Sequence, residues 1–142
     1  MKKRVLFLCT ANSCRSPMAE GIANHFLGDR LEAFSAGTAA SFVNLRAIAV
    51  LREMGIDSSG LRSKNLDEFA GQSFDYVITL CGDANEKCPL YFGGVRRTHM
   101  GIPDPARATG TETEVLEEFR KVRDAIKGAI DAFFDREFNE QV

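Results

Sequence analysis

The sequence predicts an α/β domain: a four-stranded, mainly parallel sheet of strand order 2-1-3-4 with helices on both faces. Three observations predict it. Short apolar runs of strand length alternate with segments whose apolar residues recur at helical spacing, giving the order β-α-β-α-β-β-α. The first run, Val5-Leu6-Phe7-Leu8, is apolar at consecutive positions, as in a strand covered on both sides. Right-handed crossovers then carry the chain to one neighbour of strand one and back to the other, leaving a switch point between strands one and three where ligands bind.

Residues 4–9 form the first strand. Ser16 is expected to cap the helix that follows and Pro17 suits its first turn, while Met18, Ile22, His25 and Phe26 form its apolar side as far as Gly28. A second strand covers 32–36 and ends at Gly37. A helix over 42–54 turns Val43, Ala47, Val50, Leu51 and Met54 inward and stops at Gly55. A short helical turn falls at 66–69. The third strand, 74–80, runs into Cys81, and a weaker fourth, 95–100, enters the loop "GIPDPARATG". Val115, Phe119, Val122, Ile126, Ile130 and Phe133 mark one stripe of a long closing helix whose other side is charged. The sequence contains no repeat, low-complexity tract or linker. With 142 residues, 44% of them hydrophobic, a single domain over 1–142 is expected.

Charge and segment lengths narrow the function classes. A formal net charge of -2 gives no overall basic field, so nucleic acid and anionic membrane are not expected partners and any anion site must be local. The apolar run after Met-Lys-Lys-Arg is too short for a signal peptide, and no segment approaches the roughly 20 apolar residues of a membrane span. A soluble, cytoplasmic, monomeric protein is the expectation. In that compartment Cys9, Cys14, Cys81 and Cys88 point to metal binding, redox catalysis or burial rather than a disulfide framework.

The chemistry concentrates after the first strand. A loop leading from a strand into a helix aims successive N–H groups at one point, where the helix dipole adds positive potential. Thr10, Ala11, Asn12, Ser13, Cys14, Arg15 and Ser16 are the candidate oxyanion-binding residues, with Arg15 as a planar, always charged fork. Cys9 stands in the same positive field, which favours a thiolate nucleophile. The expected topology also puts Cys9 and Cys81 at the carboxyl ends of neighbouring strands, about 4.8 Å apart at the backbone.

The stretch "CTANSCRSPMAEG" resembles the phosphate-binding loop of the low-molecular-weight tyrosine phosphatase superfamily, and the likeness extends over nearly the whole chain. It implies that Asp104, in "PDPA", is a general acid, its approach stiffened by Pro103 and Pro105. Many members have Gly where this chain has Ala11; a positive φ there would cost on the order of 1 kcal/mol. Asn12, Glu20 and Ser35 match polar positions that support the loop. Some relatives place a potassium ion nearby, and Lys64 falls where those carry a carboxylate. No obligatory cofactor or metal is expected.

"TLCGDANEKCPL" is similar to the corresponding segment of the thioredoxin-coupled arsenate reductases. That resemblance implies that Cys9 forms the adduct with arsenate, that Cys81 attacks Cys9 to release arsenite, and that Cys88 attacks Cys81 to give a disulfide open to thioredoxin, each a thiolate exchange. Cys88 must travel for this, because a disulfide needs its Cα atoms within about 7 Å. Cys14 has no assigned step and reads as structural or auxiliary; His25 and His99 read as surface or packing residues. Two alternatives stand beside the reductase. A low-molecular-weight protein tyrosine phosphatase would use Cys9, Arg15 and Asp104 and leave Cys81 and Cys88 idle, although Ala106, Arg107 and Ala108 replace the aromatic residues expected beside its acid. A binding module would use the four thiols for zinc or arsenite.

Overall fold

The computed structural model describes residues 2–81 and 96–140. The chain forms β1 (Lys3–Cys9), α1 (Arg15–Phe26), β2 (Leu31–Gly37), α2 (Leu45–Arg52), a 3-10 turn (Leu66–Phe69), β3 (Tyr76–Thr79), β4 (Arg96–His99), a second 3-10 turn (Pro105–Arg107) and α3 (Glu112–Glu140). The sheet has the expected order β2-β1-β3-β4, and every pairing is parallel.

β1 is central and dry: Val5 to Cys9 are each at most 2% exposed. Alternation along a strand sends Val5, Phe7 and Cys9 to one face, where they meet Met18 and Ile22 of α1, Val50 and Leu51 of α2, and the α3 stripe. Leu6 and Leu8 go to the other face, against Leu66, Phe69, Phe74 and Val77. Both faces therefore carry helical structure, but unequally: among the described residues the three α-helices share one face and a 3-10 turn covers the other. The six apolar residues expected on α3 are all buried, and each fully buried side chain of this kind contributes about 1.5–3 kcal/mol. No described helix is long and apolar enough to cross a membrane.

Three expectations change at the element ends. α1 begins at Arg15 with Cys14 in the cap position and no side-chain cap; the Ser16 hydroxyl is used elsewhere. At the other end of α1, His25 and Phe26 are exposed and meet edge to face, so the buried face is carried by Met18, Ala19, Ile22 and Ala23. α2 starts three residues late, at Leu45, because Asn44 is still extended (φ -67°, ψ 132°), its amide donating to the Ser13 carbonyl at 2.9 Å, as the amides of Ala39 and Ser41 donate to the carbonyls of Thr10 and Ala11 at 2.9 and 3.0 Å. A residue with extended backbone stands at the cap and not inside the helix. The Asn44 side chain caps the shortened helix by accepting from the Arg46 amide, and Phe42 is left 71% exposed.

The register of β1 with β3 runs from Val5 opposite Tyr76 to Leu8 opposite Thr79. Cys81 thus falls level with Thr10, not Cys9. The two cysteines do lie at the carboxyl ends of adjacent strands, but one residue out of step.

Candidate active site

Peptide geometry explains how the loop from Cys9 to Arg15 is oriented. The carbonyls of Thr10, Ala11 and Ser13 all point outward, onto amides of residues 39–44, and Ala11 also accepts from the Ser63 hydroxyl at 3.0 Å. A trans peptide places its N–H opposite its C=O, so the amides of Ala11, Asn12 and Cys14 turn to the other side of the loop. The result is a cradle of donors at the start of α1, which suits an anion.

The cradle needs one left-handed residue, and Asn12 supplies it with φ +48°. Asparagine tolerates that region better than most residues. The expected strain at Ala11 does not arise, because Ala11 is not the residue with positive φ. The Asn12 side chain is fully buried and makes two bonds. Its Oδ1 accepts from the Lys64 amide at 2.7 Å, which fixes Nδ2 as the atom donating to Ser16 Oγ at 2.7 Å. Ser16 Oγ lies 2.8 Å from Cys9 Sγ. Once Cys9 is ionised its sulfur has no proton to give, so the Ser16 hydroxyl must donate to it.

Cys9, Ala11, Ser13, Cys14 and Arg15 line a cavity of about 120 Å³ closed on its other side by Ser41, Asp104 and Ala106. Asn12 and Ser16 stand behind the loop rather than in this cavity. Arg15 donates from Nη1 to the Ile102 carbonyl at 3.2 Å and holds Nη2 3.8 Å from Asp104 Oδ2. Asp104 Oδ1 accepts from the Ala106 amide at 3.0 Å, which caps the turn that follows. The Cys9 thiol, the Arg15 guanidinium and the Asp104 carboxyl thus converge on one small space.

Cys14 lines the same cavity but is chemically unlike Cys9. Burial pushes its thiol up from 9.0 to about 11, opposed by a hydrogen bond with Ser13 and aided by the negative Asp104 and Cys9. It remains a thiol at neutral pH, in keeping with a structural role.

Cys81 opens onto a wider chamber of about 530 Å³ that includes Thr10, Arg15, Ile102, Asp104 and Arg107. Its Sγ is 3.2 Å from Thr10 Oγ1. The Thr10 hydroxyl thus reaches the second thiol. Cys9, Cys14 and Cys81 are free thiols; Cys88 lies outside the described residues.

The expected support residues are brought together. Ser35 Oγ donates to Glu20 Oε1 at 2.7 Å, and the Lys64 ammonium lies 3.5 Å from the same oxygen and donates to the Arg62 carbonyl at 2.8 Å. His99 Nδ1 pairs with Thr79 Oγ1 at 2.9 Å and is not in the cavity. The sequence reading missed Ser41, Asn44 and Ser63 as braces, the bond from Ser16 to the nucleophile, and the Ile102 carbonyl under Arg15. No local pattern marks the braces or the Ile102 carbonyl, since they lie about 30 to 87 residues from their partners in the loop.

Comparison with known proteins matches residues 4–142 to the family described as low molecular weight phosphotyrosine protein phosphatase. The arsenate reductase of Bacillus subtilis (strain 168) is 47% identical over 131 residues, 92% of this chain and 94% of that protein. That of Bacillus licheniformis is 48% identical over 132 residues, covering 93% and 95%. Among solved structures, an arsenate reductase in the phosphate binding state superposes with TM-score 0.81 at 34% identity, covering 96% of this chain and 98% of that one. A low molecular weight protein tyrosine phosphatase from T. tengcongensis gives 0.73 at 31%, covering 95% and 99%.

Proposed function

We propose a function for this chain from the family to which it belongs, the low molecular weight phosphotyrosine protein phosphatases: it reduces arsenate to arsenite and is recharged by a thioredoxin. The observation that carries this reading is the second thiol at the loop. Cys81, held at Thr10 Oγ1, stands beside the oxyanion cradle, where hydrolysis alone would have no use for it. The curated relatives named arsenate reductase support the same assignment.

In the first step the Cys9 thiolate attacks arsenic while Arg15 and the loop amides hold the remaining oxygens. Asp104 gives its proton to the departing oxygen, which leaves as water, and an S–As bond has formed. The Cys81 thiolate then attacks Cys9 Sγ. The S–As bond breaks with its electron pair passing to arsenic, so arsenic(V) becomes arsenic(III), released as arsenite, and the two sulfurs are oxidised to a disulfide. Cys88 attacks Cys81 next, which frees Cys9 and forms a Cys81–Cys88 disulfide. The dithiol of a thioredoxin accepts that oxidation in turn. Because the cycle starts from reduced thiols, we place the protein in the cytoplasm, acting as a monomer.

Lys64 fills the place of a loop-supporting potassium ion in this reading. Its ammonium already neutralises Glu20, and a second cation beside the same carboxylate would face like-charge repulsion. The residues here do not fit such an ion, so activity is independent of potassium.

Following NADPH oxidation through thioredoxin reductase and thioredoxin, with arsenate as substrate, tests the relay. Wild type turns over, whereas Cys81→Ser and Cys88→Ser do not; normal turnover by Cys81→Ser would overturn the relay, and turnover only with a glutaredoxin system would replace the partner. A second activity has its own observation, Asp104 in the Cys9 cavity. Weak hydrolysis of p-nitrophenyl phosphate should need Cys9 and Asp104 and survive Cys81→Ser.

A further inference from the structure

The two working thiols occupy separate compartments. The small cavity of Cys9 and the wider chamber of Cys81 share two lining residues, Arg15 and Asp104. Arg15 is only 14% exposed and is engaged with Ile102 and Asp104, so its charge faces inward and is partly neutralised. Arg107 is different. It is exposed and lines the outer chamber, on a turn fixed by the bond from the Ala106 amide to Asp104. Among the described residues its guanidinium has no ion-pair partner.

An oxyanion approaching a chain of net charge -2 gains nothing from the overall field. Only a local cation in a cleft with low-dielectric walls can draw it in. We propose that the Cys81 chamber is the anion vestibule of the enzyme, and that Arg107 is its receiving charge, a positioning residue that hands a tetrahedral oxyanion inward to Arg15. The inference rests on the reading of Cys9 and Cys81 as the working thiols, and it adds a site on the path to Cys9. An unpaired guanidinium suits this role because it binds oxyanions through two parallel N–H bonds, yet in partly open water it holds them weakly enough to release them.

The test compares anionic iodoacetate with neutral iodoacetamide at Cys81, reading the modified peptide by mass spectrometry on the full-length chain. The neutral reagent reports access and the ratio of the two reports charge. In Arg107→Ala the iodoacetate-to-iodoacetamide ratio should fall roughly threefold or more, in Arg107→Glu further, and in Arg107→Lys it should stay near wild type. Added salt should erase the difference between wild type and Arg107→Ala. An unchanged ratio in Arg107→Ala and Arg107→Glu, or an equal change for both reagents, overturns the vestibule. Neither result touches the reductase assignment, which arsenate turnover by the wild type tests separately. With that turnover in hand, Arg107→Ala should lower kcat/KM for arsenate while kcat holds.

Discussion

Replacing Ser16 by Ala removes a hydrogen bond to the Cys9 sulfur and also takes from the buried Asn12 Nδ2 its acceptor. The hydroxyl is fully buried, 2.8 Å from Cys9 Sγ, and Asn12 Nδ2 at 2.7 Å already donates to its oxygen. Its single proton is therefore available to the sulfur, and the bond is strongest when the sulfur is charged. A hydrogen bond to a charged group contributes about 1.5–3 kcal/mol. Losing it should slow reactions at the Cys9 sulfur by about tenfold or more. Carboxamidomethylation of Cys9 should then be slower in Ser16→Ala than in wild type at matched pH. Hydrolysis of p-nitrophenyl phosphate should drop with it, and circular dichroism should show an unchanged fold. A Ser16→Ala protein that alkylates at the wild-type rate throughout would refute the claim that Ser16 acts on the sulfur.

Three further outcomes follow from the same geometry. Lys64→Met leaves the partly covered Glu20 with Ser35 but without its cation, which should destabilise the fold by about 1–3 kcal/mol in urea melts, whereas Lys64→Asp should make both stability and activity respond to added potassium. The Cys14 thiol ionises near 9.0 when unfolded and near 11 when folded; between those pH values only the unfolded chain gives up its proton. Stability should therefore fall by roughly 2–3 kcal/mol as pH rises through that window, and Cys14→Ala should flatten the fall. Gly37→Ala would put a Cβ 2.5 Å from the Thr10 carbonyl and 2.9 Å from the Asn12 amide. Arsenate turnover and cradle affinity for phosphate, measured by calorimetry, should both drop, since the added atom pushes on the loop itself.

The parts of this site legible in the sequence are those whose chemistry is local. Cys9, Arg15 and the helix start lie within one short loop, and strand-loop-helix order places them together without knowledge of any other residue. Asp104 was legible through its two flanking prolines and the family resemblance. What could not be read depends on partners far along the chain. Residues 42–44 have good helical periodicity, yet the amides of Ala39, Ser41 and Asn44 serve carbonyls some thirty residues earlier, and tertiary bonds overrode propensity. The Ser16 hydroxyl fits a cap by position, but the buried Asn12–Ser16–Cys9 chain gives it a different partner. The register that sets Cys81 against Thr10 is a matter of a single residue, finer than any periodicity resolves.

That single-residue stagger has a consequence for the order of events. In the relay proposed above, the Cys81 sulfur must give up its bond to the Thr10 hydroxyl before it can reach Cys9.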